Sequence, residues 1–111
     1  MEVKVADEGS TAHVALIGRL DIQGAEAVAM PFATLSGAKD NVLVDMSQVS
    51  FLSSIGVRHL VSATKALARR GGQLILIAPH DIVREVITTA GLASMIPMVG
   101  NEAEARAKLA S

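Results

Sequence analysis

Two runs, Asn41-Val-Leu-Val-Asp45 and Gln73 to Ala78, are almost continuously apolar over the length of a strand, and each leads into a stretch whose apolar residues recur at helical spacing. A strand that is apolar on both sides must be covered on both sides, so the chain is constrained to a sheet with helices packed on it. Glu2 to Ala6 and Ala12 to Ile17 read as two more short strands, joined as a hairpin through the turn-rich Asp7-Glu8-Gly9-Ser10. Gly24 to Ser36 is rich in Ala, Met and Leu and reads as helix, with Pro31 expected to kink or shorten it because proline removes a backbone donor.

From Ile55 the period is helical, and Val57, Leu60, Val61, Thr64, Leu67 and Ala68 form one stripe expected to be buried. Arg69-Arg70 followed by Gly71-Gly72 is a stop signal, since cations favour the negative end of a helix and glycine permits a left-handed cap. Asp81 to Ala90 is the next helix, with Ile82, Val83, Val86, Ile87 and Ala90 inward and Gly91 as its cap. Met95 to Val99 reads as an edge strand, where Pro97 is tolerated, and Asn101 caps a last helix reaching about Leu109. The alternation predicts an α/β fold: one domain over residues 1–111, with a mainly parallel central sheet of about 4–5 strands and about four helices packed on it.

Composition narrows the function. Half of the residues are apolar and the formal charge is -1, which excludes a disordered chain. The mean hydropathy is +0.44, yet apolar runs such as Leu74 to Pro79 fall far short of the ~18 residues a bilayer span needs, so no membrane insertion is expected. Ten basic against eleven acidic residues, with Phe32 and Phe51 the only aromatics, argue against a nucleic-acid partner. The chain has no cysteine, and the opening MEVKVADEG carries no secretory pattern, so a cytoplasmic home is expected. His13, His59 and His80 lie far apart without ligand spacing and read as surface or boundary residues, so no metal or other cofactor is expected. Gly71-Gly72 precedes a strand, the reverse of a phosphate-binding loop, and Ser-Ser-Ile-Gly does not fit a nucleophile elbow. An enzyme is disfavoured.

In sheets of this kind function gathers where strand ends meet helix N-termini, and here that place is Asp45 to Gly56. Ser53 and Ser54 stand immediately ahead of the helix, where a hydroxyl accepts a hydrogen bond from a free first-turn N–H. Capping is the plain reading of either serine. The sharper one is a phosphate carried there, whose added charge of ~-1.5 to -2 meets free N–H groups and the positive end of the dipole. Along the outer face of the same helix Arg58, Ser62, Lys65 and Arg69 make a basic stripe, either simply solvated or facing an acidic partner.

Gly18-Arg-Leu-Asp21, Val44-Asp-Met-Ser-Gln-Val-Ser-Phe-Leu-Ser-Ser-Ile-Gly-Val57, Gly71-Gly-Gln-Leu-Ile-Leu and Thr89-Ala-Gly-Leu92, in this order over nearly the whole chain, together resemble the STAS domain of bacterial anti-sigma factor antagonists. That resemblance implies a partner switch. The unphosphorylated antagonist binds an anti-sigma factor that is also a GHKL-type serine kinase, phosphorylation of a serine separates the pair, and a PP2C-type phosphatase resets it. The family's loop reads Asp-Ser-Ser/Thr-Gly-Leu, which places the acceptor on Ser54; here Ser53 replaces the aspartate and Ile55 the second hydroxyl residue, leaving Ser53 as the other candidate. Asp21 and Asp45 match acidic positions of the family near this pole. The expected partner-binding set is Asp21, Ser53, Ser54, Ile55, Gly56, Arg58 and Lys65, on a monomer or weak dimer. The competing expectation is an unphosphorylated STAS interaction subunit of an ABC transporter or signalling scaffold, with Ser54 serving only as a cap.

Overall fold

The computed structural model describes residues 1–110. Nine elements follow one another: β1 (Glu2–Glu8), β2 (Thr11–Leu20), α1 (Ile22–Ala38), β3 (Asn41–Leu52), α2 (Ser54–Ala68), β4 (Leu74–Ile77), α3 (Asp81–Thr89), β5 (Met98–Val99) and α4 (Glu102–Ala110). The strands lie in chain order in one sheet, with β1 antiparallel to β2 and every later pair parallel. The hairpin register closes on Glu8 opposite Thr11, so Gly9 and Ser10 alone make the turn, and Gly9 takes the positive φ (+78°) such a turn demands.

Because β2, β3, β4 and β5 advance across the sheet in one direction, the strong preference for right-handed crossovers sends all three connecting helices to the same face. Val28, Phe32 and Leu35 of α1, Leu60, Ala63 and Leu67 of α2, and Val83 and Ile87 of α3 accordingly share one core with Val14, Val44 and Leu76 of the sheet. The last helix connects no strands and covers the other face, where Ala105 and Leu109 meet Leu43, Ile75 and Ile77. Successive residues of β4 thus point to opposite cores, as the two-residue repeat of a strand requires. Polar contacts fasten α4 down: Arg106 lies 2.8 Å from Glu8, and His13 Nε2 2.9 Å from Glu102.

The structure extends or trims several expected elements. The first helix starts at Ile22 and runs through Pro31 to Ala38, so the proline neither ends nor shortens it. In α2, Leu60, Thr64 and Leu67 are buried and Val57 and Val61 half-buried as the periodicity predicts, but Ala68 is exposed and Ala63 is buried instead. In α3 only Val83 and Ile87 are buried; Ile82 is 66% exposed and Ala90 is exposed, so the stripe is narrower than five residues. The fifth strand is only Met98–Val99. Stop signals do act as read. Gly72 N–H donates to Leu67 O (2.9 Å) and Gly71 N–H to Ala68 O (3.0 Å), the paired bonds of a glycine-capped helix end, with Gly71 at φ +82°. Asn101 Oδ1 accepts from Glu104 N–H (2.9 Å) at the start of α4.

The largest departure concerns β3. It does not stop at Asp45 but continues to Leu52, pairing with β2 as far as Leu20 opposite Leu52. Its second half outruns β4, whose last partner is Asp45 opposite Ile77, so only one edge of it is paired and polar residues are tolerated there. Two register shifts against β2 each give β3 an extra residue: Ala15 faces Asp45 but Ile17 faces Gln48, and Gly18 faces Val49 but Arg19 faces Phe51. Asp45 therefore sits inside the strand, where its carboxylate accepts from Ser47 N–H (2.9 Å), and not at the strand end where the sequence reading put it.

Candidate functional site

The carboxyl ends of β2 and β3 and the N-termini of α1 and α2 meet at one pole of the molecule. Each helix needs acceptors for first-turn N–H groups that have no intrahelical partner. Asp21 caps α1, its Oδ1 accepting from Gly24 N–H at 2.9 Å, and that bond, helped by the Arg19 guanidinium, holds its carboxyl below the ordinary carboxylate range. Ser53 caps α2 from extended backbone (φ -87°, ψ 166°), with its Oγ accepting from Gly56 N–H at 3.2 Å. The same hydroxyl donates to Leu20 O at 2.8 Å, and Ser53 N–H donates to that carbonyl at 2.9 Å. One serine thereby ties the start of α2 to the end of β2.

Gly56 lets the first turn of α2 settle onto the sheet. A Cβ there would lie 2.7 Å from Leu20 Cγ and 3.0 Å from Leu52 Cδ1. Ser54 is the first residue of the helix and is exposed, and its hydroxyl bonds to no described group. Two adjacent serines thus have different work, and the reading of Ser54 as a cap is corrected: the capping hydroxyl belongs to Ser53. Replacing Ser53 by alanine removes the cap and the tether to Leu20, and should cost about 1–2 kcal/mol in urea unfolding. Ser54→Ala should stay within about 0.5 kcal/mol of the parent, the range of an ordinary surface change.

Asp21, Ser53, Ser54, Ile55 and Gly56 are brought together at this pole. Arg58 is exposed about one helical turn along and makes no ion pair with a described residue. Lys65 is also exposed but lies ~16 Å along α2 from Ser54 at 1.5 Å per residue, so it is not part of the same cluster.

Three residues at the pole escaped the sequence reading. Arg19 stands with its guanidinium carbon 4.5 Å from the centre of the Phe51 ring, and its Nε is 3.7 Å from Asp21 Oδ2. Phe51 is 36% exposed and Ile22, the residue after Asp21, 67% exposed. Strict alternation from buried Val49 would turn Phe51 inward; the second register shift turns it out. The available signal was an aromatic in a chain with only two, three residues ahead of the candidate acceptor.

Residues 2–105 match the family model described as the STAS domain. BtrV of Bordetella bronchiseptica, assigned as an anti-sigma factor antagonist, is 34% identical over 75 residues, a stretch covering 68% of this chain and 64% of that protein. The alignment thus spans less than two thirds of that relative's length. Among solved structures, the anti-sigma factor antagonist SpoIIAA in its unphosphorylated form superposes with a TM-score of 0.83 at 24% identity, covering 97% of this chain and 96% of that one. An anti-sigma factor antagonist from Mycobacterium paratuberculosis gives 0.87 at 22% identity over 99% and 94%. The phosphorylated form of SpoIIAA gives 0.76 at 23% identity over 97% and 99%.

Proposed function

Since this chain belongs to the STAS domain family, we propose that it is an anti-sigma factor antagonist, a non-enzymatic cytoplasmic protein that acts by reversible binding. It docks through the pole of Asp21, Ser53, Ser54, Ile55, Gly56 and Arg58 on an anti-sigma factor with GHKL-type serine kinase activity. Phosphorylation of Ser54 separates the pair, and a PP2C-type phosphatase restores binding. The observation that carries this reading is the division of labour between the serines. Ser53 Oγ is committed to Gly56 and Leu20, whereas the Ser54 hydroxyl is exposed and uncommitted at the helix start.

The departure from the family pattern has a physical sense. An aspartate in place of Ser53 would cap α2 as an acceptor but could not donate to Leu20 O, and its charge would stand beside an incoming phosphate. With serine there, the phosphate of ~-1.5 to -2 meets free N–H groups and the helix dipole with no carboxylate next to it in sequence. The remaining acid of the pole, Asp21, is occupied by Gly24 N–H. A rigid loop suffices for such a switch, because the change is local charge and bulk at the centre of a contact.

The test is to incubate the protein with ATP and its GHKL-type kinase and locate the added phosphate by mass spectrometry. Phosphate is expected on Ser54 and absent from Ser54→Ala. Modification of Ser53 instead would overturn the assignment, and modification of neither would favour a constitutive docking subunit.

A further inference from the structure

We propose that Phe51, with the Arg19 guanidinium lying on its ring, is the anchor by which this pole grips its partner, and that exposed Ile22 adds apolar surface at the same pole. The matching surface on the partner is an apolar pocket edged by a carboxylate. The inference rests on the binding function proposed above and names the chemistry of both sides of that contact.

The fold goes out of its way to expose this ring. The only other aromatic, Phe32, is 3% exposed in the core, whereas an extra residue in β3 turns Phe51 outward at the cost of regular pairing. Ile22 is left 67% exposed at the same pole, one residue beyond the acid that approaches Arg19. Arg19 is 61% exposed along its side chain, but stacking on Phe51 at 4.5 Å holds it in place before any partner arrives. Less side-chain freedom is then lost on binding. Aromatic and arginine side chains are the groups enriched at the energetic centre of protein contacts.

Charge selects the occupant. Arg19 Nε stands 3.7 Å from Asp21, beyond hydrogen-bond reach, and Asp21 is already held by Gly24 N–H, so the planar fork of Arg19 keeps donors for a second carboxylate. Arg58, on the next turn beyond Ser54, forms no ion pair among the described residues and adds a second exposed cation to the pole. An arginine stacked on an exposed ring suits an apolar pocket edged by a carboxylate better than a second copy of the chain, whose ring would bring the same arginine face to face.

The experiment titrates the parent, Phe51→Ala, Arg19→Gln and Arg19→Lys by calorimetry against each purified GHKL-type anti-sigma factor of the organism that encodes the chain. Met30→Ser, 73% exposed on the side of α1, is the control. Circular dichroism melts verify folding, and Arg19→Gln, a surface change, carries the test if Phe51→Ala does not fold. Phe51→Ala is expected to weaken binding about 30-fold or more and Arg19→Gln about tenfold, with Arg19→Lys failing to restore the parent and Met30→Ser unchanged. If the parent binds and both Phe51→Ala and Arg19→Gln bind within threefold of it, the anchor is wrong while the antagonist function stands. If the parent binds none of these factors, the functional reading falls and the anchor with it. A parent dimer in sedimentation that Phe51→Ala dissolves would assign the patch to a second copy and overturn the proposal.

Discussion

A chain carrying Ser54→Asp will bind its partner about a hundredfold or more weaker than the parent, and will melt no lower. Both halves follow from the position of that side chain. An unpaired or like charge forced into the middle of a standard contact costs several kcal/mol, and every ~1.4 kcal/mol is a factor of ten. The same carboxylate sits on the first residue of α2, where a negative charge is favourable to the dipole by about 0.3–1 kcal/mol. Stability and affinity should therefore move apart, which rules out unfolding as the cause of lost binding. Ser54→Ala should bind within a few-fold of the parent and no longer be released by kinase and ATP. Isothermal titration together with thermal melts reads both quantities. An Asp variant that binds as tightly as the parent would show that no electrostatic switch operates at this residue.

Much of this architecture was legible because it rests on local physics. The apolar runs at Val42–Val44 and Leu74–Ile77 could only be strands buried on both faces, and the helix stops at Gly71 and Gly91 follow from the left-handed turns those two glycines take. What was not legible depends on partners distant in sequence. Residues 46–52 alternate poorly and carry Ser47, Gln48 and Ser50, so they read as a loop; they are strand because β2 extends beside them, with bulges absorbing the mismatch. The narrow buried stripe of α3 reflects where that helix lies over the sheet, which its own period does not report.

The candidate site was legible in place but not in its division of roles. Ser53 and Ser54 are chemically identical, and which one caps is set by the backbone phase at the helix start, extended at Ser53 and helical from Ser54. The Arg19–Phe51 stack was invisible for the same reason as the end of β3. Without the register shift, Phe51 would not be the residue opposite Arg19.

Gly72→Ala is expected to abolish folding, although the position is far from the pole and belongs to no motif of chemistry. A Cβ on Gly72 would stand 1.6 Å from Asp40 O, against the ~3.5 Å of ordinary contact between heavy atoms, and the atom it meets is backbone. Neither side has room to yield. Gly72 N–H is bonded to Leu67 O at the end of α2, and Asp40 N–H to Ser10 O. Beside them Val42 N–H donates to Gln73 O and Gln73 N–H to Asn41 Oδ1. Parting the two chains would thus open the start of the ladder between β3 and β4, the strands buried in both cores. A loss above about 4–5 kcal/mol is exceptional for one substitution, yet it would consume most of the 5–15 kcal/mol that holds a domain of this size. The neighbouring Gly71→Ala is the control that separates crowding from backbone strain. Nothing lies within 4 Å of a Cβ there, but φ is +82°, so its cost is that of a left-handed alanine, about 1–2 kcal/mol. Urea unfolding of Gly71→Ala should give a cooperative transition at lower midpoint, whereas Gly72→Ala should show no native baseline. If Gly72→Ala unfolds cooperatively within about 1 kcal/mol of the parent, the close approach of the two backbones is not a requirement of this fold.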